Sequence, residues 1–354
     1  MSRFFSKKYA ALTPYTPGEQ PKDMQYIKLN TNESPFPPSP KAQAYAAQAA
    51  AQLHLYPDPE CAALTQKVAE LCRVKREQVL LTNGSDEILN FAFMAFCDEE
   101  NPALFCDITY GFYEVFAQLN GVSYQKIPLK SDFSVDLEAF FEAKGTVFLA
   151  NPNAPTGLCL PLSDIERLLQ SNPDRIVVVD EAYVDFGAQS ACSLVDRYDN
   201  LLVTQTFSKS RSMAGARLGF GVGAAALIAD LNTVKYSTNP YNINRMTMAA
   251  GLGVLEDEDY TRANCQAVIA TREKTAKALK HMGFAVLDSM ANFLFAKHPD
   301  LDGKQLYLAL KERGVLVRHF DSARLKDYNR ITVGSDEQMQ VLLDTIRQIM
   351  EEKR

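Results

Sequence analysis

Long apolar runs are missing from this 354-residue chain. The best candidate, Gly219 to Ala229, is short and interrupted by glycine, so no membrane-spanning segment is expected. An excess of basic residues is missing too. Lysine and arginine number 37 against 43 acidic residues, a net charge of −6, which argues against a nucleic-acid surface. Histidine is scarce, with four residues at no metal-ligand spacing, and no metal site is expected. The seven cysteines are an odd number without a close CxxC pair, which points away from a zinc site or a disulfide framework and toward reduced core thiols in a cytoplasmic protein. The opening residues Met1 to Lys8 lack the apolar core of a signal peptide. No repeat or low-complexity tract stands out.

What is present is a globular composition, 47% hydrophobic and 23% charged, in a chain long enough for two domains. Proline crowds the first forty residues (Pro14, Pro17, Pro21, Pro35, Pro37, Pro38, Pro40), so this stretch reads as an arm draped over a surface. From Cys61 onward, helical apolar spacing alternates with short apolar runs. Helices are expected over 62–71, 85–96, 110–119 and 162–169. Strands are expected over 79–81, 103–105, 122–127, 146–150, 176–179, 201–203 and 218–222. Strands apolar on both faces indicate a mostly parallel sheet covered by helices. A helical stretch over 242–282 precedes short strands at 284–287, 292–297, 315–318 and 330–333, which read as a smaller α+β domain.

Open α/β sheets bind ligands at the carboxyl ends of their strands. Five loops there carry polar or reactive groups. The turn Asn83-Gly84-Ser85-Asp86 opens a helix, where free amides can hold a phosphate. Tyr110 could stack on an aromatic ring. The rigid loop Asn151-Pro152-Asn153-Ala154-Pro155-Thr156-Gly157 could offer the Asn153 amide to a phenolate oxygen. Asp180 ends an apolar strand and needs a cationic partner. A protonated pyridine nitrogen would serve, and so would Arg175 or Arg211 in a purely structural ion pair. Tyr183 follows it. Lys209 is flanked by Ser208 and, eight residues on, Arg217, both phosphate-type ligands. One lysine to form a covalent bond, one acid for the ring nitrogen, one tyrosine for the ring hydroxyl and a phosphate cradle are what pyridoxal phosphate chemistry requires. Arg318 and Arg330, in the second domain, could receive the anionic ends of a substrate, although Arg318 could equally pair with Asp321.

With these residues in view, the chain resembles the fold-type I aminotransferases, and among them the histidinol-phosphate aminotransferase group. The resemblance runs from Leu12-Thr13-Pro14-Tyr15 and Leu29 to Pro35 through Leu55-Tyr56-Pro57-Asp58, Gly84 to Glu87, Asp180 to Tyr183 and Thr206 to Lys209. It ends at Arg330-Ile331-Thr332-Val333-Gly334. It implies an N-terminal arm over 1–35 joining the small domain, and a large cofactor domain over 36–245 built on a mostly parallel seven-stranded sheet. A small C-terminal α+β domain over 246–354 completes the chain. It also implies the roles. Lys209 carries the cofactor, Asp180 pairs with its ring nitrogen, Tyr183 meets the ring oxygen, and Tyr110 stacks on the ring. Ser85, Asp86, Thr206, Ser208 and Arg217 hold the phosphate. Tyr56 reaches the cofactor of a second subunit, so a homodimer is expected. Tyr15, Asn32, Arg318 and Arg330 match substrate-contacting positions. The sequence departs from the family loop at Ala154, where an asparagine that contacts the ring oxygen is usual, so either Asn153 takes over that contact or Tyr183 makes it alone.

The expected activity is transamination from histidinol phosphate to 2-oxoglutarate, within histidine biosynthesis. Rivals are an aromatic amino acid aminotransferase and a threonine-phosphate decarboxylase-like lyase on the same scaffold. A non-catalytic cofactor-binding module is disfavoured by the acidic charge and by the complete set of catalytic positions.

Overall fold

The computed structural model describes residues 2–10 and 12–352. The arm is mostly coil, as its prolines require, but it contains one short strand, β1 (Ile27–Lys28). It ends at α1 (Pro40–Ala50), where the Ser39 hydroxyl accepts from the Ala42 amide and proline occupies the first turn. The sequence reading missed this helix because its alanine-rich run has little apolar–polar contrast.

The large sheet contains β2 (Val79–Thr82), β3 (Ala103–Cys106), β4 (Tyr124–Ile127), β5 (Thr146–Ala150), β6 (Val177–Asp180), β7 (Leu201–Thr206) and β8 (Gly219–Gly223). Their order is β2-β8-β7-β6-β5-β3-β4. All neighbours are parallel except β8, which runs against both β7 and β2. Six strands are buried throughout, and only the edge strand β4 is half-solvated. Successive residues enter opposite layers. Val177, Val179, Leu201 and Val203 pack into one core, whereas Val178, Leu202, Phe148 and Phe105 pack into the other. Burying each such side chain contributes roughly 1.5–3 kcal/mol before entropy is subtracted.

The covering helices are α2 (Ala62–Cys72), α3 (Ser85–Phe96), α4 (Phe112–Asn120), α5 (Leu137–Glu142), α6 (Leu162–Ser171) and α7 (Ala225–Thr238). The stretch expected to be helical over 242–282 is two helices, α8 (Arg245–Leu255) and α9 (Glu258–His281), divided at Glu256 and Asp257. Asn244 caps α8 by accepting from the Thr247 amide. α8 packs against α1 and α2, whereas α9 also meets the strands that follow it. We therefore propose that the second domain starts at α9 and that α8 belongs with the first.

After α9 come β9 (Ala285–Val286), β10 (Phe293–Lys297), α10 (Gly303–Glu312), β11 (Val315–Leu316), β12 (Arg318–His319), β13 (Asn329–Thr332) and α11 (Asp336–Glu352). Four strands form an antiparallel sheet in the order β12-β13-β10-β9. The single strand expected over 315–318 is split, because β11 leaves that sheet to pair in parallel with β1 of the arm, Ile27 opposite Val315. A bond from the Thr332 amide to the Leu29 carbonyl (2.9 Å) continues the attachment. On the arm, Glu19 is held by Tyr307 and Lys311 of α10. The arm is thereby tied to the second domain on one side, while Tyr15 stacks on Phe112 of α4 at 4.3 Å on the other.

Candidate active site

The carboxyl ends of β2, β3, β5, β6 and β7 meet at one edge of the large sheet. Because β8 is antiparallel, its start lies at that same edge, with Gly219 opposite Thr206, and this brings Arg217 to the loops. Two adjoining cavities open there. The inner one, about 190 Å³, is lined by Ser85, Asp86, Tyr110, Asp180, Tyr183, Thr206, Ser208, Lys209 and Arg217, among others. The outer one, about 480 Å³, shares Lys209, Tyr110 and Tyr183 and adds Tyr15, Asn32, Arg318 and Arg330.

The base of the inner cavity is the N-terminus of α3, a twelve-residue helix beginning at Ser85. Its free amides and its dipole favour an anion. Gly84 turns into it with φ +77°, and a Cβ there would stand 2.6 Å from the Arg217 guanidinium. A Cβ on Gly219 would collide with the Ser85 amide nitrogen. Both glycines therefore keep the cradle open. Arg217 Nη2 donates to Asp86 Oδ2 at 2.9 Å and Arg217 Nη1 to Ser208 Oγ at 3.4 Å, and Thr206 Oγ1 donates to Ser208 Oγ at 3.0 Å. Tyr110 is fixed through its hydroxyl, which donates to Asp86 Oδ1 at 2.7 Å.

Asp180 ends β6 and is buried. Its bonded partners are the Tyr113 hydroxyl (2.9 Å) and the Ala182 amide (3.3 Å), neither of them charged. Burial pushes the carboxyl up to about 6, against the pull of the Tyr113 hydrogen bond. The alternative of a structural ion pair is not what the fold arranges. Arg175 donates to the carbonyls of Phe140 and Ala143, and Arg211 pairs with Asp185 at 2.9 Å. Lys209 faces the same cavity, its ammonium 3.3 Å from the Thr31 carbonyl oxygen. Burial first, and Arg330 second, bring its amine down to about 8. A buried acid with only neutral partners, a half-buried amine that is half neutral near pH 8, and an anion cradle beside them fit a phosphorylated, cationic ring compound bearing an aldehyde.

This lowered value has a measurable consequence. Attack of Lys209 on an added aldehyde should quicken about tenfold per pH unit up to about pH 8 and then level off, because the neutral fraction saturates there. Borohydride trapping followed by peptide mapping reads this at the one residue. A rate still rising at pH 10 would contradict the buried setting.

Other expected residues fall differently. Asn153 does not face the cavity. Its amide donates to the Ile108 carbonyl (3.0 Å) and Thr156 Oγ1 (3.1 Å), and its oxygen accepts from Thr109. The expected contact with a ring oxygen is thus not available, since both N–H groups are engaged in folding the loop. Ala154 lines the cavity instead, packed with Tyr183, Ala291 and Phe293. Asn32 lines the outer cavity but is only 1% exposed, and its amide donates to the Tyr183 hydroxyl at 2.9 Å. Arg330 is half-buried, its guanidinium over the rings of Phe293 and Phe320; it donates to the Asn30 carbonyl (2.9 Å) and has a buried Nε without a partner. Arg318 touches the Pro17 carbonyl at 3.5 Å. The Asp321 pairing considered for it goes to Lys304 instead. Tyr56 lies away from both cavities, 77% exposed and stacked on Tyr241 at 4.8 Å.

Sequence reasoning overlooked three contributors. Tyr113 is a fully buried tyrosine on the apolar face of α4, a position that calls for a hydrogen-bond partner. Thr31 contributes a backbone carbonyl, which no side-chain pattern signals. Glu33 lines the inner cavity and pairs with Lys28 at 2.7 Å. Glu181, quoted within the Asp180 motif, faces the interior and binds Ser190, the Ala191 amide and Gln205.

Residues 24–346 match the family model described as aminotransferase class I and II. A histidinol-phosphate aminotransferase of Dechloromonas aromatica is 51% identical over 99% of both chains. One from a Marinomonas species is 50% identical over 98% of this chain and 99% of its own. Among solved structures, the histidinol-phosphate aminotransferase of Sinorhizobium meliloti in complex with pyridoxal-5'-phosphate superposes with a TM-score of 0.82, covering 92% of each chain at 24% identity.

Proposed function

Because this chain belongs to the class I and II aminotransferase family, we propose that it moves the amino group of histidinol phosphate to 2-oxoglutarate, giving imidazole acetol phosphate and glutamate. It is a pyridoxal phosphate-dependent transaminase. The observation that carries the substrate reading is Arg330, a half-buried side chain whose buried Nε has no partner, in the same cavity as Lys209. Such a group favours an anion.

When bound, pyridoxal phosphate supplies an aldehyde for amino groups and a ring that withdraws electrons from the neighbouring carbon. The residues divide the remaining work. The amides of Ser85 and Asp86, with Thr206, Ser208 and Arg217, hold the phosphate. Asp180 keeps a proton on the ring nitrogen, which gives this buried carboxylate the cationic partner its protein neighbours do not provide. Tyr183 donates to the ring oxygen. Tyr110, anchored through Asp86, walls one side of the ring. Lys209 would tether the cofactor, and its amine, when free, would take and return the proton at the substrate's Cα. Arg318 and Arg330, with Tyr15 at the mouth, receive the substrate phosphate, or the carboxylates of glutamate in the reverse half-reaction.

Arg318→Ala tests the phosphate role. It should lower kcat/KM for histidinol phosphate by roughly 10–100-fold, the weight of a charge-assisted bond, and change the value for a neutral aromatic amine far less. Equal losses on both donors would remove Arg318 from that role.

We also infer that the working unit is a pair of identical chains. Tyr56, Leu53, Leu55 and Tyr241 leave an exposed apolar patch. Arg245 stiffens it by donating to the carbonyls of Leu55 (3.1 Å) and Tyr56 (2.7 Å). A second copy covering this patch would bring Tyr56 toward the neighbouring cofactor phosphate.

A further inference from the structure

The loop that would ordinarily present an amide to the cofactor's ring oxygen has Ala154 at that point, and Asn153 is turned away. This leaves Tyr183 as the hydroxyl at that side of the inner cavity, and its proton can point in more than one direction. The oxygen of a phenol carries one proton and accepts through its lone pairs. Asn32 Nδ2 fills an acceptor position on Tyr183 at 2.9 Å. The orientation of that amide follows from its other contacts. Asn32 Oδ1 accepts from Thr332 Oγ1 at 3.0 Å, and the same Oγ1 accepts from the Asn32 backbone N–H at 3.0 Å. Asn292 Nδ2 donates to the Asn32 carbonyl at 3.0 Å. The Thr332 backbone is itself bonded to Leu29. Asn32 sits at φ +56°, a left-handed conformation that asparagine and aspartate tolerate better than most residues. Asn32, Asn292 and Thr332 are all at most 2% exposed, so water does not compete for these bonds. The assembly joins three parts of the fold, since Asn32 belongs to the arm, Thr332 ends β13, and Tyr183 follows β6.

We propose that Asn32 is a positioning residue for Tyr183: by donating to the phenol oxygen, its amide leaves the phenol proton directed at the ring oxygen of the bound cofactor. Asn32 then does for the ring oxygen, through Tyr183, what an amide at Ala154 would do directly. The charged groups around Tyr183 are Arg330, Asp180, Asp86 and Lys209, the last with its Nζ 6.0 Å from the ring centre. None of them supplies the donor that Asn32 supplies.

This inference rests on the cofactor reading above, and the test separates the two. In the holoenzyme, the bound cofactor changes colour as it loses a proton, and the pH midpoint rises when the ring oxygen loses a donor. Asn32→Asp keeps shape and backbone tolerance but presents acceptors only, so the Tyr183 proton turns toward it. Its midpoint should rise by about one pH unit, as should that of Tyr183→Phe. The double variant should rise no further than Tyr183→Phe alone. Additive shifts would mean that the new carboxylate acts by its charge, and would overturn the proposal. So would a parent-like midpoint in Asn32→Asp beside a shifted Tyr183→Phe. If Asn32→Asp does not fold, Thr332→Val, which frees the amide to rotate, should move the midpoint the same way by a smaller amount, and an unmoved midpoint overturns the proposal. A Tyr183→Phe holoenzyme with the parent midpoint would take Tyr183 away from the ring oxygen and overturn the proposal, whereas a protein that binds no cofactor would remove the cofactor reading itself.

Discussion

A folded Lys209→Ala protein is expected to lose transamination by at least about 10⁴-fold, because one side chain has two duties. It tethers the cofactor, and its freed amine carries the proton between two carbons. The setting explains why no neighbour substitutes. The ammonium donates to a backbone carbonyl, that of Thr31 at 3.3 Å, which cannot shuttle a proton. The buried site also keeps the amine near 8, so it is a competent base at neutral pH, whereas a solvated lysine is almost wholly protonated there. Single-turnover kinetics on the purified variant, with circular dichroism to establish folding, provides the check. Near-normal turnover would end the mechanism.

Asp180→Asn should separate activity from stability. With the ring nitrogen no longer held protonated, kcat should drop by about 10²–10³-fold, the usual weight of one preorganised electrostatic group. The cofactor-free protein should move the other way. Burial raises the Asp180 carboxyl from an ordinary 3.8 to about 6, so its ionised form destabilises the fold. The penalty is absent below about pH 4, grows as pH climbs toward 6, and is constant above that, at roughly 3 kcal/mol. Without cofactor, Asp180→Asn should therefore be more stable than the parent at pH 8 by that order, with the difference vanishing near pH 4. Denaturant midpoints at the two values measure it. A variant less stable at both would show that Tyr113 and the Ala182 amide stabilise the carboxylate more than burial penalises it. The trade is familiar at sites where a charge awaits its ligand.

The same logic explains which features were legible in the sequence. The apolar strands β5, β6 and β7 were readable because both faces are buried, so every residue is hydrophobic until the polar residue that ends the strand. Helix α3 was readable from its glycine turn and apolar period. Helix α1 was not, because alanine serves equally on a buried and a solvated face. The break between α8 and α9 carries neither proline nor glycine, and the tertiary packing of α8 on α1 and α2 sets it. At the site, Lys209, Asp180, Tyr183 and Arg217 could be singled out because their chemistry is unusual beside apolar neighbours. Asn153 could not be judged in the same way. An amide's partners lie wherever the chain brings a carbonyl, and here Ile108 and Thr156 arrive first.

By itself, then, the order of residues determined the alternation of strands and helices, the family, and the identity of the reactive lysine and its acid, since these depend on local periodicity and on side-chain type. Only the folded chain decided that β8 turns back to bring Arg217 to the phosphate cradle, that the Nε of Arg330 is buried without a partner, and that Asn32 reaches Tyr183 across 151 positions. Hydrogen bonds and burial act over a few ångströms in space, and separation along the chain does not encode that distance.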